Sequence, residues 1–136
     1  MVGWMLPAIF AFLFWGFWGL FPKLAAPYLD PWSIFIYATI GNVAVALSLI
    51  AWPGFRPATD PKGIFIAFLG GLAGSFGSIL YNVAASKGRI SVVVTLTGLY
   101  PLVTIFLSFF LLHESLGMKD IAAMGLALSA IALISL

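Results

Sequence analysis

Residues 98–120 read "GLYPLVTIFLSFFLLHESLGMKD". No side chain from Gly98 to Leu112 is charged, and His113-Glu114 then ends the run. Extended back to Ile90, the stretch is long enough to cross a bilayer, whose core of about 30 Å takes roughly 20 residues at about 1.5 Å each. Pro101 stands inside it. Proline has no N–H and its ring clashes with the carbonyl four residues back, here that of Thr97. The expected kink frees that carbonyl beside a threonine hydroxyl, which lipid tolerates only where the group lines protein or a wet cavity. Pro101 therefore reads either as part of a gating or binding element or as a simple bend.

Outward from this segment the same solvent is implied everywhere. The chain has 136 residues, 63% hydrophobic and 7% charged, with a mean hydropathy of +1.18. Roughly 25% charged residues are usual for a soluble domain, so this chain cannot build a water-facing shell. Apolar stretches at Val2–Phe21, Trp32–Trp52, Gly63–Ala85, Ile90–Leu112 and Ile121–Leu136 predict an all-α integral membrane protein with five transmembrane helices. They are read as a single membrane domain over residues 1–136, with the lipid bilayer as its first partner. The segment opening the chain lacks the basic start of a cleavable signal and is too long and aromatic for one. Trp4, Trp32, Trp52 and Tyr28 fall near span ends, where amphipathic rings favour the headgroups.

The four carboxylates fall at interfaces. Asp30-Pro31 and Asp60-Pro61 each read as an N-cap followed by proline at the first helical position. The likeness of "DPWSIFI" (30–36) to "DPKGIFI" (60–66) is read as one cap chemistry used twice. Asp120 belongs to the first turn of the last helix, where the dipole favours negative charge. Glu114 is assigned to that same N-terminus or to a basic neighbour such as Lys119.

Six basic residues divide evenly between the two sides of a five-span chain: Arg56, Lys62 and Lys119 against Lys23, Lys87 and Arg89. An excess of Lys and Arg normally sets orientation, and here there is none. The balance predicts dual topology, with copies inserted both ways and paired as an antiparallel ten-helix homodimer. A fixed orientation set by partners is the plainer alternative. The charge is too small and scattered for a nucleic-acid footprint, so no nucleic-acid partner is expected.

Candidate site residues follow from helix faces. Gly71, Gly74, Ser75, Ser78 and Asn82 share one face of the third helix, and Thr97, Pro101, Thr104 and Ser108 one face of the fourth. Small residues allow close helix packing, but an amide in hydrocarbon needs partners, so Asn82 is placed toward the bundle interior or a cavity. Asn42 raises the same question without a polar face to support it. The first helix carries an aromatic wall that includes Trp15 and Trp18, suited to flat or apolar solutes and equally to lipid. Lys23 ends a neighbouring stripe with Gly16 and Gly19, and either snorkels or binds an anion. The substrate-binding candidates are thus Trp15, Trp18, Lys23, Ser78, Asn82, Thr97, Pro101 and Thr104. No cysteine is present, and His113 beside Glu114 lacks a nucleophile, metal cluster or phosphate loop. Neither an enzyme, a metal site nor a cofactor is expected.

"FWGFWGLFPKLAAPYLDP", "LYNVAASKGRISVVVTLTGLYPLVTIFLSFFLLHESL" and the small-residue-rich last helix resemble the EamA-type half of the drug/metabolite transporter superfamily. Trp15-Gly16 with Lys23, Gly88, Tyr100-Pro101 and Glu114 carry the resemblance, which spans nearly the whole chain. Most members hold two inverted five-helix halves. This chain is similar to one half, as in the five-helix bacterial and archaeal group. The resemblance implies alternating access between two inverted units and location in a prokaryotic cytoplasmic (inner) membrane. Ala123 and Ala130 stand where many relatives carry glycine. The related small multidrug resistance transporters use a glutamate in their first helix; here that helix has no carboxylate, so their coupling does not carry over. The expected function is a carrier or exporter of small amphipathic metabolites or drugs. A dual-topology channel and a non-transporting scaffold are the alternatives.

Overall fold

The computed structural model describes residues 3–113, 115 and 117–135. Regular structure among the described residues is entirely helical: α1 (Met5–Ala25), α2 (Pro31–Ile50), α3 (Pro61–Lys87), α4 (Ile90–Thr97), α5 (Tyr100–Leu111) and α6 (Met118–Ser135). With α4 and α5 taken as one interrupted span, the described residues form five helical rods. Four of them, α1, α2, α3 and Ile90–Leu111, are long and apolar enough to cross a membrane. The remaining rod, α6, has 18 residues.

The helix starts are set by local chemistry. Asp30 caps α2, its Oδ1 accepting from the Trp32 and Ser33 N–H groups at 3.0 and 3.1 Å, with Pro31 opening the helix. Asp60 caps α3 in the same way, accepting from the Gly63 N–H at 2.7 Å. Asp120 reaches back from the first turn of α6 to accept from the Gly117 N–H at 2.8 Å, the returning half of a capping box. These bonds satisfy N–H groups that no preceding turn can reach. Glu114, the fourth carboxylate, lies outside the described residues.

Two helix boundaries correct the sequence expectation. First, α1 does not end at Phe21 but continues through Pro22 to Ala25. The helix is already in its last turn there, and the Ala26 N–H reaches the Pro22 carbonyl at 3.0 Å to complete it. Second, the fourth span is interrupted at Gly98-Leu99, before Pro101, and Pro101 lies in the opening turn of α5. There its missing N–H leaves little unsatisfied. The chain tightens through the break: the Leu99 N–H turns to the Leu96 carbonyl at 3.3 Å and the Leu102 N–H to that of Leu99 at 2.8 Å. Such three-residue bonds are the ordinary way a helix end closes.

The chain divides into two compact units, Met1–Lys87 and Gly88–Leu136. In the first, α1, α2 and α3 all pack on one another. Their buried centre is small, formed by Gly19, Pro22, Ile34, Tyr81, Asn82 and Ala85. The Tyr81 hydroxyl donates to the Gly19 carbonyl at 2.5 Å, and the Tyr81 ring stacks on Trp18 with centroids 5.1 Å apart and planes at 27°. Asn82 donates from Nδ2 to the Pro31 carbonyl at 3.4 Å. These contacts bring the last turns of α1, the first turn of α2 and the C-terminal third of α3 to the same level. In the second unit α4 packs against α6, and Phe106, Phe109 and Phe110 form an aromatic ladder along α5. Most large apolar side chains face outward, Phe12, Phe14 and Leu80 among them. For a chain solvated by lipid that surface requires no covering.

Candidate functional site

A cavity of about 360 Å³ opens within the first unit. On α1 it is bounded by Trp18, Phe21, Pro22 and Ala25, on α3 by Ser78 and Asn82. The α2 wall is built on Phe35, Ala38, Thr39, Asn42 and Val45. Those α2 positions follow the spacing of one helical face, and Asn42 lies near the middle of α2. The α2 lining therefore runs from Ile34 in the first turn to Val45 past mid-helix, roughly 16 Å at about 1.5 Å per residue.

Its polar groups are few and well defined. The Ser78 hydroxyl donates to the Gly74 carbonyl at 2.9 Å and that of Thr39 to the Phe35 carbonyl at 2.8 Å. Each uses its single proton on its own helix and keeps oxygen lone pairs for a guest. Asn82 is 3% exposed. Because the Pro31 carbonyl can only accept, the Asn82 amide must present Nδ2 to it, which fixes the orientation of the side chain. Its Oδ1 accepts no hydrogen bond from the described residues. Yet among them no buried side-chain nitrogen or oxygen is left unpartnered, so this oxygen is accessible, on a side chain that lines the cavity. Asn42 makes no side-chain hydrogen bond to the described residues either. No titratable side chain lines the cavity.

The wall is backed from behind. Trp18 forms one side, and its indole is held by the Tyr81 ring, which the bond to Gly19 anchors in turn. At the level of the α2 start, the hydrogen bond from the Ser33 hydroxyl, followed by that from the Ser33 backbone N–H, holds the Asp30 carboxyl below the usual carboxylate range. Asp30 is thus an ionised cap. Among the described residues no group of His, Cys, Asp or Glu could hold a metal ion.

Of the residues singled out in the sequence, the structure brings Trp18, Ser78 and Asn82 together around this cavity. Trp15 lies one turn earlier on α1, 61% exposed, and is not part of the lining. Lys23 follows Pro22 in the last turn of α1, half-buried and outside the lining. Thr97, Pro101 and Thr104 belong to the second unit, where the Thr97 and Thr104 hydroxyls donate to the Val93 and Tyr100 carbonyls of their own helices at 2.7 and 3.4 Å. Phe21, Phe35 and Thr39 join the lining without having stood out in the sequence, and Asn42 gains a supporting face. The signal was present: Phe35, Thr39 and Asn42 stand at i, i+4 and i+7, and Thr39 supplies the polar neighbour that Asn42 lacked.

Comparison with known proteins places the chain in context. The model of the EamA-like transporter family matches residues 2–136. An uncharacterized protein of the archaeon Methanocaldococcus jannaschii is 29% identical over 105 residues, 76% of this chain and 77% of that protein. No solved structure matches the chain.

Proposed function

Since the chain belongs to the EamA-like transporter family, within the drug/metabolite transporter superfamily, we propose that it is a carrier moving small amphipathic solutes by alternating access. It is an integral multi-pass membrane protein of a transporter family, not of an enzyme family. The observation that carries the proposal is the α1–α2–α3 cavity, which aromatic side chains line together with the amides of Asn82, near the start of α2, and Asn42, near its middle. A non-transporting scaffold has no use for an amide such as Asn42 at mid-helix, where it carries a desolvation cost.

The working assembly we infer is an antiparallel homodimer in a prokaryotic cytoplasmic membrane. The even division of basic residues supports it, as does the inverted-repeat logic of alternating access. Within the assembly, Trp18, Ser78 and Asn82 contact solute, while the break at Gly98-Leu99 beside Thr97, Pro101 and Thr104 supplies flexure. Lys23, in the last turn of α1, is assigned to the mouth of the pathway, and Trp15, at the middle of α1, to a solute contact outside this cavity.

Purified protein in liposomes is expected to show saturable uptake that accelerates in counterflow. Unitary currents without counterflow point to a channel instead, and no flux from a stably folded protein refutes transport. C-terminal reporter fusions are expected to show both orientations. A single orientation refutes the antiparallel dimer while leaving the carrier standing.

A further inference from the structure

The lining of the cavity defines the chemistry of what it holds, given the carrier reading above. We propose that its ligand is an uncharged small molecule with O–H or N–H donors along one edge and a flat apolar face. Neutrality follows from what surrounds it. None of the lining side chains is ionisable, and an ion removed from water without an opposite charge beside it is strongly disfavoured. Lys23 and Asp30, the charges nearest in sequence to the lining, are opposite in sign and belong to helix ends.

The donor requirement follows from the hydrogen-bond inventory. Asn82 is a buried residue whose Nδ2 is turned to the Pro31 carbonyl, which leaves Oδ1 as an accessible acceptor with no partner among the described residues. Ser78 and Thr39 have spent their protons on their own helices and can only accept. Asn42 adds one more acceptor and two donors, and Asn82 keeps one N–H beyond that used on Pro31, so four oxygens face three N–H groups. The site is thus richer in acceptors than donors, and a guest satisfies it by donating. The flat face follows from Trp18, held in place by Tyr81, with Phe21 and Phe35 adding aromatic lining. At about 360 Å³ the space suits a one- or two-ring molecule and lies at the small end of ligand pockets, which run about 300–1,000 Å³.

Two probe series differing in charge test this by equilibrium dialysis against the purified full-length protein. One is tyrosol, tyramine and 4-hydroxyphenylacetate; the other is adenosine, 5′-amino-5′-deoxyadenosine and adenosine 5′-monophosphate. The neutral member of at least one series is expected to bind about ten-fold or more tighter than both its charged partners. Asn82→Leu and Asn42→Leu should each weaken that binding about ten-fold, the scale of a donor left unpaired in a buried site. Asn42 is exposed on the isolated chain, so its variant tests the idea even if Asn82→Leu does not fold. Failure of both neutral probes to bind, stronger binding of a charged member in both series, or neutral binding indifferent to both variants overturns the proposal. A cavity filled by a lipid chain gives the first of these results. Counterflow measured separately with the same probes keeps the two readings apart. Binding without counterflow refutes the carrier alone, and counterflow of a charged member only refutes the ligand class alone.

Discussion

Tyr81 offers the sharpest test of how the cavity is held. Its side chain, 7% exposed, does two separable things: the hydroxyl donates to Gly19, and the ring stacks on Trp18. Tyr81→Phe removes the first and keeps the second. An intramolecular hydrogen bond contributes about 0.5–1.5 kcal/mol net in water, and side-chain bonds between membrane helices average about 0.6 kcal/mol. A loss of about 0.5–1 kcal/mol is therefore expected for Tyr81→Phe. The aromatic pair is worth about 0.5–1.5 kcal/mol beyond the area it buries, and truncating a buried aromatic side chain to alanine costs about 3–5 kcal/mol. Tyr81→Ala should accordingly cost several times as much as Tyr81→Phe. Reversible unfolding in mixed micelles measures both. A double-mutant cycle between Tyr81→Leu and Trp18→Leu isolates the ring pair, with an expected coupling of about 0.5–1.5 kcal/mol. Because Trp18 is a cavity wall and Tyr81 is not, Tyr81→Phe should also weaken solute binding without touching solute. A phenylalanine variant as stable as the parent, together with zero coupling in the cycle, refutes the account of a backed wall.

Two further predictions rest on local geometry. Asp30 is held ionised by Ser33 and the first N–H groups of α2; its folded pKa is depressed, so its contribution is present above the ordinary carboxylate range and is lost as pH falls through the lower folded value. Asp30→Asn should therefore be milder than Asp30→Ala and should remove that acid-limb dependence, as read by unfolding between neutral and low pH. At the break in the fourth span, a Cβ on Gly98 meets the Val94 carbonyl at 3.0 Å and that of Thr95 at 3.4 Å. Gly98→Ala therefore requires the Val94 carbonyl to give by a few tenths of an ångström, and is expected to forfeit the roughly 0.5–1 kcal/mol that Gly→Ala gains at an unstrained site. Pro101→Ala, by supplying an N–H at a helix start where one is not required, should change stability by less than that.

The sequence by itself determined the solvent, the helical class and the helix starts. A chain with 7% charged residues must meet lipid, and lipid admits backbone only with its hydrogen bonds closed internally. The caps were legible for the same local reason: Asp30, Asp60 and Asp120 each bond groups within three residues of themselves. Much of the site was legible too, since Trp18, Ser78 and Asn82 stand out as aromatic or polar groups in apolar spans. Tertiary structure alone decided which faces meet. These helices are apolar nearly all round, so hydropathy does not say how far each is rotated, and Trp15 and Trp18 could not be told apart. The rotation is set by long-range contacts: Tyr81 on Gly19, 62 residues apart, and Asn82 on Pro31, 51 apart. Those contacts gather Thr39 and Asn42 from α2 into the same cavity. The interruption of the fourth span at Gly98 also escaped the sequence reading, because proline marks where a helix lacks a donor, while the turn that uses that freedom forms at the neighbouring glycine.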